Sequence, residues 1–192
     1  MREIAANKTI NKTKRAAASI ADSAISIMGV VYTIFLVWVI LWKCAMPFIG
    51  DGTEQSINLL LFNGNTRWEL EFNIAIFIPL GFYLVATAQS QKLFVFTLIR
   101  QLLTVLFMSF MLEVMQFILA VGRSDVTDLL TNTLGGAIGI IVTYAIMKLF
   151  GRHKRKAALV ISTLLTLFVL YLSVSFVLFG QVSIGGMMIN IL

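Results

Sequence analysis

Polarity along the chain alternates between long apolar runs and short polar breaks. Apolar runs cover roughly residues 25–42, 72–88, 93–121, 128–149 and 157–179. A bilayer core of about 30 Å is crossed by about 20 apolar residues of helix, so each run predicts one membrane span. The expected fold is all-α, a polytopic transmembrane helix bundle of five spans. Span 3 is longer than the core requires at about 1.5 Å per residue. Its excess is expected at the inner end, with Arg100 snorkelling to the headgroups. Trp38 and Trp42 close span 1 as interfacial anchors do. Pro79 and Gly81 interrupt span 2, and Pro79 frees the carbonyl of Ala75 and predicts a kink.

The breaks divide the chain further. Residues 1–24 form a basic arm, with Arg2, Lys8, Lys12, Lys14 and Arg15 against Glu3 and Asp22. The run that follows is too long for the apolar stretch of a cleaved signal. Residues 44–71 form a loop carrying Asp51, Glu54, Glu69 and Glu71 against Arg67, and its apolar patch Ile57–Phe62 reads as a short interfacial helix. Ser90-Gln91-Lys92 is a tight turn that makes spans 2 and 3 an antiparallel hairpin. Residues 151–156 are a second basic loop, and 157–192 hold the fifth span and an uncharged tail.

Composition agrees with the pattern. Of 192 residues, 59% are hydrophobic and 12% charged, with a mean hydropathy of +0.93. A soluble domain carries about 25% charged residues, so this chain lacks the polar surface to cover itself in water. A single cysteine, Cys44, excludes an internal disulfide and any CxxC redox or zinc motif. The net charge of +6 is a topology signal and implies no nucleic acid. With the N-terminus cytoplasmic and the C-terminus outside, the arm, Lys92, Lys148 and the 151–156 loop all fall inside, as the positive-inside rule requires. Lys43, Arg67 and Arg123 then fall at the outer edge.

That topology gathers the unusual polar groups at the outer leaflet. Asn73 opens span 2, Glu113 and Gln116 lie on the outer part of span 3, Arg123, Asp125 and Asp128 form the outer turn, and Asn132 lies one turn into span 4. Glu113 and Gln116 are three apart and share a helix face. Asp128, Asn132, Gly135 and Gly139 form one stripe, polar above and small below, and the Gly135-x-x-x-Gly139 half admits a second helix at close range. Glu113 lies ~15 Å along the helix from Arg123, and a carboxylate that deep must be paired or protonated. Local structure is the competing account of these residues: Asp125 or Asp128 as the N-cap of span 4, and Arg123 as a loop clamp on an aspartate. His153 lies among cations and is a poor metal ligand or base. There is no Ser-His pair, no HExxH and no phosphate-cradling loop.

Taken together, Asn73 with Phe77-Ile78-Pro79-Leu80-Gly81, Glu113-x-x-Gln116, Arg123-x-Asp125-x-x-Asp128 and Asn132-x-x-Gly135-x-x-x-Gly139 resemble the VanZ-like family of bacterial membrane proteins, over roughly residues 25–150. The resemblance implies a multi-pass protein of the bacterial cytoplasmic membrane, associated with resistance to glycopeptide antibiotics such as teicoplanin. It brings no settled mechanism and no cofactor. One expectation is a binding or modulating protein whose outer pocket meets membrane lipids, a lipid-linked cell-wall intermediate or the acylated glycopeptide. Asn73, Gln116, Arg123 and Asn132 would then contact the ligand. The alternative is an intramembrane hydrolase or transferase, with Glu113, Asp125 and Asp128 as catalytic acid and base or as ligands to a divalent cation such as Mg²⁺.

Overall fold

The computed structural model describes residues 2–42, 49–50, 55–88, 94–179, 181–184 and 187–190. Cys44 and the turn at 90–92 lie outside them. Five α-helices make up the body: α1 (Arg2–Trp42), α2 (Arg67–Ala86), α3 (Phe94–Leu119), α4 (Val126–Phe150) and α5 (Lys154–Phe179). Among the described residues, four stretches are long and apolar enough to cross a membrane: Arg15–Trp42, Arg67–Ala86, Val95–Leu119 and Val126–Ser175. The last is divided by a 3₁₀ turn at Gly151–His153 into α4 and α5. Gly151 supplies the break, at φ +43°.

The basic arm and span 1 are one helix. Alanine and lysine are strong helix formers, so α1 begins at Arg2; hydropathy marks where the apolar part starts, not where the helix does. At that end Arg155 donates two hydrogen bonds to Asp22, at 2.8 and 3.0 Å, fastening α5 to α1. Farther along, the Tyr83 hydroxyl of α2 donates to the Ser162 carbonyl of α5 at 3.3 Å.

Helix α2 starts earlier than its apolar run. Thr66 and Glu69 form a reciprocal capping box, with Glu69 N–H on the Thr66 hydroxyl at 3.2 Å and Thr66 N–H on the Glu69 carboxylate at 2.7 Å. Arg67 and Glu71 pair across one turn at 2.7 Å. Glu69 and Glu71 therefore belong to a helix and not to the loop in which the sequence placed them. The helix continues without interruption through Pro79.

Lipid offers no hydrophobic drive for helix association, so close backbone packing must supply the attraction. Helices α2 and α4 achieve it with glycine. A Cβ on Gly135 or Gly139 would overlap the carbonyl oxygen of Ile74 or Ile78, and one on Gly81 would overlap that of Gly136. The small-residue stripe thus packs against α2. Around this pair lies a core of Tyr32, Leu36, Phe77, Leu80, Val105, Leu112 and Ile140. The outward faces of α3 and α5 are exposed and apolar, with Phe96, Leu103, Phe107 and Phe110 on one and Leu164, Leu167, Phe168 and Val174 on the other. Such surface suits lipid and not water.

Two short strands join what the helices separate. β1 (Ser56–Asn58) pairs in parallel with β2 (Arg123–Asp125), register Ser56 to Arg123 and Asn58 to Asp125. The interfacial helix expected over 57–62 is replaced by this strand and a turn. Its backbone groups find partners on the turn between α3 and α4, which a free surface helix would not offer. In the tail, β3 (Gln181–Ile184) and β4 (Met187–Asn190) form an antiparallel hairpin.

Candidate functional site

Four of the expected polar residues, Glu113, Arg123, Asp125 and Asp128, meet at the end of the bundle where α3 stops and α4 begins. Helix α3 ends at Leu119, and Ala120 takes a left-handed conformation (φ +52°) that reverses the chain. β2 then runs back beside the last turns of α3. This reversal brings the Asp125 backbone N–H to 2.7 Å from a Glu113 carboxylate oxygen. Distance along the helix had separated the two regions; the reversal removes that separation. Asp128 lies within electrostatic reach of the same carboxylate.

Asp125 is the hub. Oδ1 accepts the Thr127 N–H at 2.8 Å and so caps α4. Oδ2 accepts from Arg123 Nη2 at 2.7 Å, from Asn58 Nδ2 at 2.8 Å and from Asn65 Nδ2 at 3.3 Å. Arg123 Nη2 also donates to the Asn63 carbonyl at 3.1 Å. Asp125 is thus the N-cap and Arg123 the clamp. With both its oxygens engaged, Asp125 is poorly suited to acid or base chemistry. Asn58, Asn65 and Thr127, which sequence reading did not select, complete the hub. Two asparagines flanking an apolar run in a loop were the available signal, since side-chain amides are donors for a buried acid.

Burial raises the Asp125 carboxyl, but hydrogen bonds from Asn58, Thr127 and Asn65 outweigh it and hold the group below the ordinary carboxylate range. A depressed folded-state pKa stabilises the fold at every pH above the unfolded value, about 3.9, and the contribution disappears as pH falls through the folded value. The thermal midpoint of the wild type in detergent should therefore fall toward that of Asp125→Asn only below about pH 4. A gap between the two that stays constant from pH 7 to pH 3 would contradict this.

The other expected residues lie deeper. Gln116 Nε2 donates to the Ile40 carbonyl of α1 at 3.1 Å. Asn132 Nδ2 donates to Ser109 Oγ at 3.0 Å, and Ser109 donates on to the Leu129 carbonyl at 3.5 Å. In both cases a carbonyl at the end of the chain fixes which amide atom donates. The amide oxygens of Gln116 and Asn132 are then left buried without a donor. Asn73 is buried in α2 beside Ile74, whose carbonyl abuts Gly135, at the level of the Asn132–Gly135 turn of α4. Among the described residues no side-chain hydrogen bond joins Asn73 to the cluster, and no group of three or more His, Cys, Asp or Glu residues is arranged to hold a metal ion.

Comparison with known proteins adds to this picture. A protein-family model described as VanZ/LLP1 matches residues 29–150, a stretch that includes the whole polar cluster. Protein VanZ of Enterococcus faecium is 34% identical over 113 residues, which cover 57% of this chain and 66% of that protein. The match thus falls just short of two thirds of that relative's own length. No solved structure matches.

Proposed function

This chain belongs to the VanZ/LLP1 family, and from that premise we propose that it binds or modulates an amphiphilic cell-envelope ligand at the polar cluster, in a role in resistance to glycopeptide or lipoglycopeptide antibiotics such as teicoplanin. The reading includes a multi-pass topology in the bacterial cytoplasmic membrane: five spans, N-terminus inside, C-terminus outside. Support for that orientation comes from the basic groups Lys148, Arg152, Lys154, Arg155 and Lys156 near the end opposite the cluster.

The observation that carries the binding reading is the pair of donor-less amide oxygens on Gln116 and Asn132, at 8% and 1% exposure, with Gln116 one helical turn from Glu113 on α3. A buried acceptor without a donor costs about 1–3 kcal/mol. A ligand bearing hydroxyl, amide or amine donors offsets that cost, and the headgroup of a lipid-linked intermediate or an acylated glycopeptide bears such groups. Arg123, with its side chain 40% exposed, is a cation at the site for a phosphate or carboxylate on the ligand. The geometry favours binding over catalysis because Asp125, one of three candidate catalytic carboxylates, is engaged by four donors.

Glu113→Gln tests the choice. Glutamine still accepts the Asp125 N–H, so the fold survives while the charge is lost. For a binder, affinity of the protein in nanodiscs for labelled teicoplanin or a lipid-linked wall precursor should weaken by roughly 10- to 100-fold, the scale of one hydrogen bond to a charged group. Drug tolerance of a susceptible host expressing the variant should fall in step, with Arg123→Ala the most affected of the site variants. For an enzyme, Glu113→Gln and Asp128→Asn would abolish tolerance and leave binding intact. Wild-type tolerance from all three variants at equal expression would refute both.

A further inference from the structure

The hub has a second consequence, which lies in what it holds. Residues 55–66 carry no charged side chain. Within them Leu59, Leu60, Leu61 and Phe62 are 77%, 64%, 52% and 63% exposed. A greasy loop would ordinarily fold onto the bundle, but this one is pinned in place with its apolar tip outward. Leu60 N–H donates to the Asn58 side-chain oxygen at 3.2 Å, and Phe62 N–H donates to the Thr127 hydroxyl at 2.9 Å. The Asn63 carbonyl accepts from Asn58 Nδ2 and from Arg123 Nη2, both at 3.1 Å. Phe62 is held at φ +57°, a conformation bulky residues avoid unless their surroundings impose it.

The tip is also continuous with a membrane-facing surface. Five residues after Phe62, α2 opens with Trp68 and Phe72 on its outside, their rings 6.4 Å apart, as an aromatic belt stands at a headgroup boundary. An uncharged, apolar tip next to such a belt is suited to lipid. Water is the poorer neighbour for four adjacent apolar side chains.

We propose that Leu59–Phe62 form a wedge inserted among the acyl chains of the leaflet at the cluster end, and that Asn58, Arg123, Asp125 and Thr127 are its mount. The polar motif then serves as positioning machinery: it fixes an apolar tip at the lipid edge of the site, where an amphiphile arriving through the leaflet would meet it. The wedge itself does not depend on any ligand.

Nitroxide depth measurement on the full chain in phosphatidylcholine–phosphatidylglycerol vesicles tests this. The background carries Cys44→Ser, with labels at Leu60→Cys, at Phe107→Cys as the lipid-facing reference and at Lys156→Cys as the aqueous one. The Leu60 label should relax with oxygen in preference to a water-soluble nickel chelate, as the Phe107 label does. Adding Asp125→Ala should shift the Leu60 label toward the chelate while the Phe107 label stays unchanged. Nickel preference at Leu60 overturns insertion, and protection from both reagents means that protein covers the tip, which also overturns it. An unchanged depth in Asp125→Ala overturns the mount. Leu61→Cys supplies a second position if the Leu60 variant fails to fold.

Discussion

Asp125→Ala should destabilise the protein by about 2–4 kcal/mol, the lost cap together with a buried donor left without its acceptor, and Asp125→Asn should be nearly as damaging. Alanine removes the α4 cap, a loss of about 1 kcal/mol, and leaves the Thr127 N–H, the Asn65 amide and the Arg123 guanidinium without their acceptor. Arg123 is partly exposed and water can rescue it in part; the buried Thr127 N–H has no such recourse. Asparagine separates the two functions of the residue. Its oxygen can still cap Thr127, but its NH₂ then faces three donors where Oδ2 accepted them. The measurement is thermal unfolding in detergent, paired with limited proteolysis of the 58–65 loop. Asparagine should preserve more helix stability than alanine yet expose the loop to cleavage equally. A wild-type midpoint for both variants would mean that Asp125 is not the hub.

That prediction rests on contacts the sequence did not disclose. Helix bodies were legible because hydropathy is set by the bilayer, and spans 2, 3 and 4 correspond to α2, α3 and α4 within a few residues except at the start of α2, where Thr66 and Glu69 extend the helix into polar sequence. The convergence of Glu113, Arg123, Asp125 and Asp128 was legible for the same reason: topology put them at one end. Their roles were harder to read. Three-residue strands such as 56–58 and 123–125, 67 residues apart, have no periodicity to detect, and their pairing depends on the reversal at Ala120. Asn58 and Asn65 look like any loop asparagines until Asp125 is placed between them. Local structure, held open as the competing account of Asp125 and Arg123, describes both contacts. Gln116 and Asn132 retain unmet acceptors, and the proposed binding rests on those atoms.

Gly139→Ala should also be severely destabilising, and the physical reason can be isolated. In an exposed helix the exchange would stabilise by about 1 kcal/mol, since glycine has more backbone freedom to lose. Here the new methyl overlaps the Ile78 carbonyl oxygen, a backbone atom of α2 that no rotamer change can move. The helices must separate, and membrane helices held by close packing have little else to keep them together. Overpacking costs about 1–3 kcal/mol where side chains can yield, so a backbone obstacle should put Gly139→Ala at or above the upper figure. Gly135→Ala, against the Ile74 carbonyl, should behave alike. Gly136→Ala supplies the contrast, because its methyl meets the Val105 side chain. Val105→Ala should therefore restore Gly136→Ala substantially, whereas Ile78→Ala should do nothing for Gly139→Ala. Thermal midpoints and monodispersity in detergent for the five single and two double variants read this directly. Rescue of Gly139→Ala by Ile78→Ala would show that side chains, not backbones, set the α2–α4 distance.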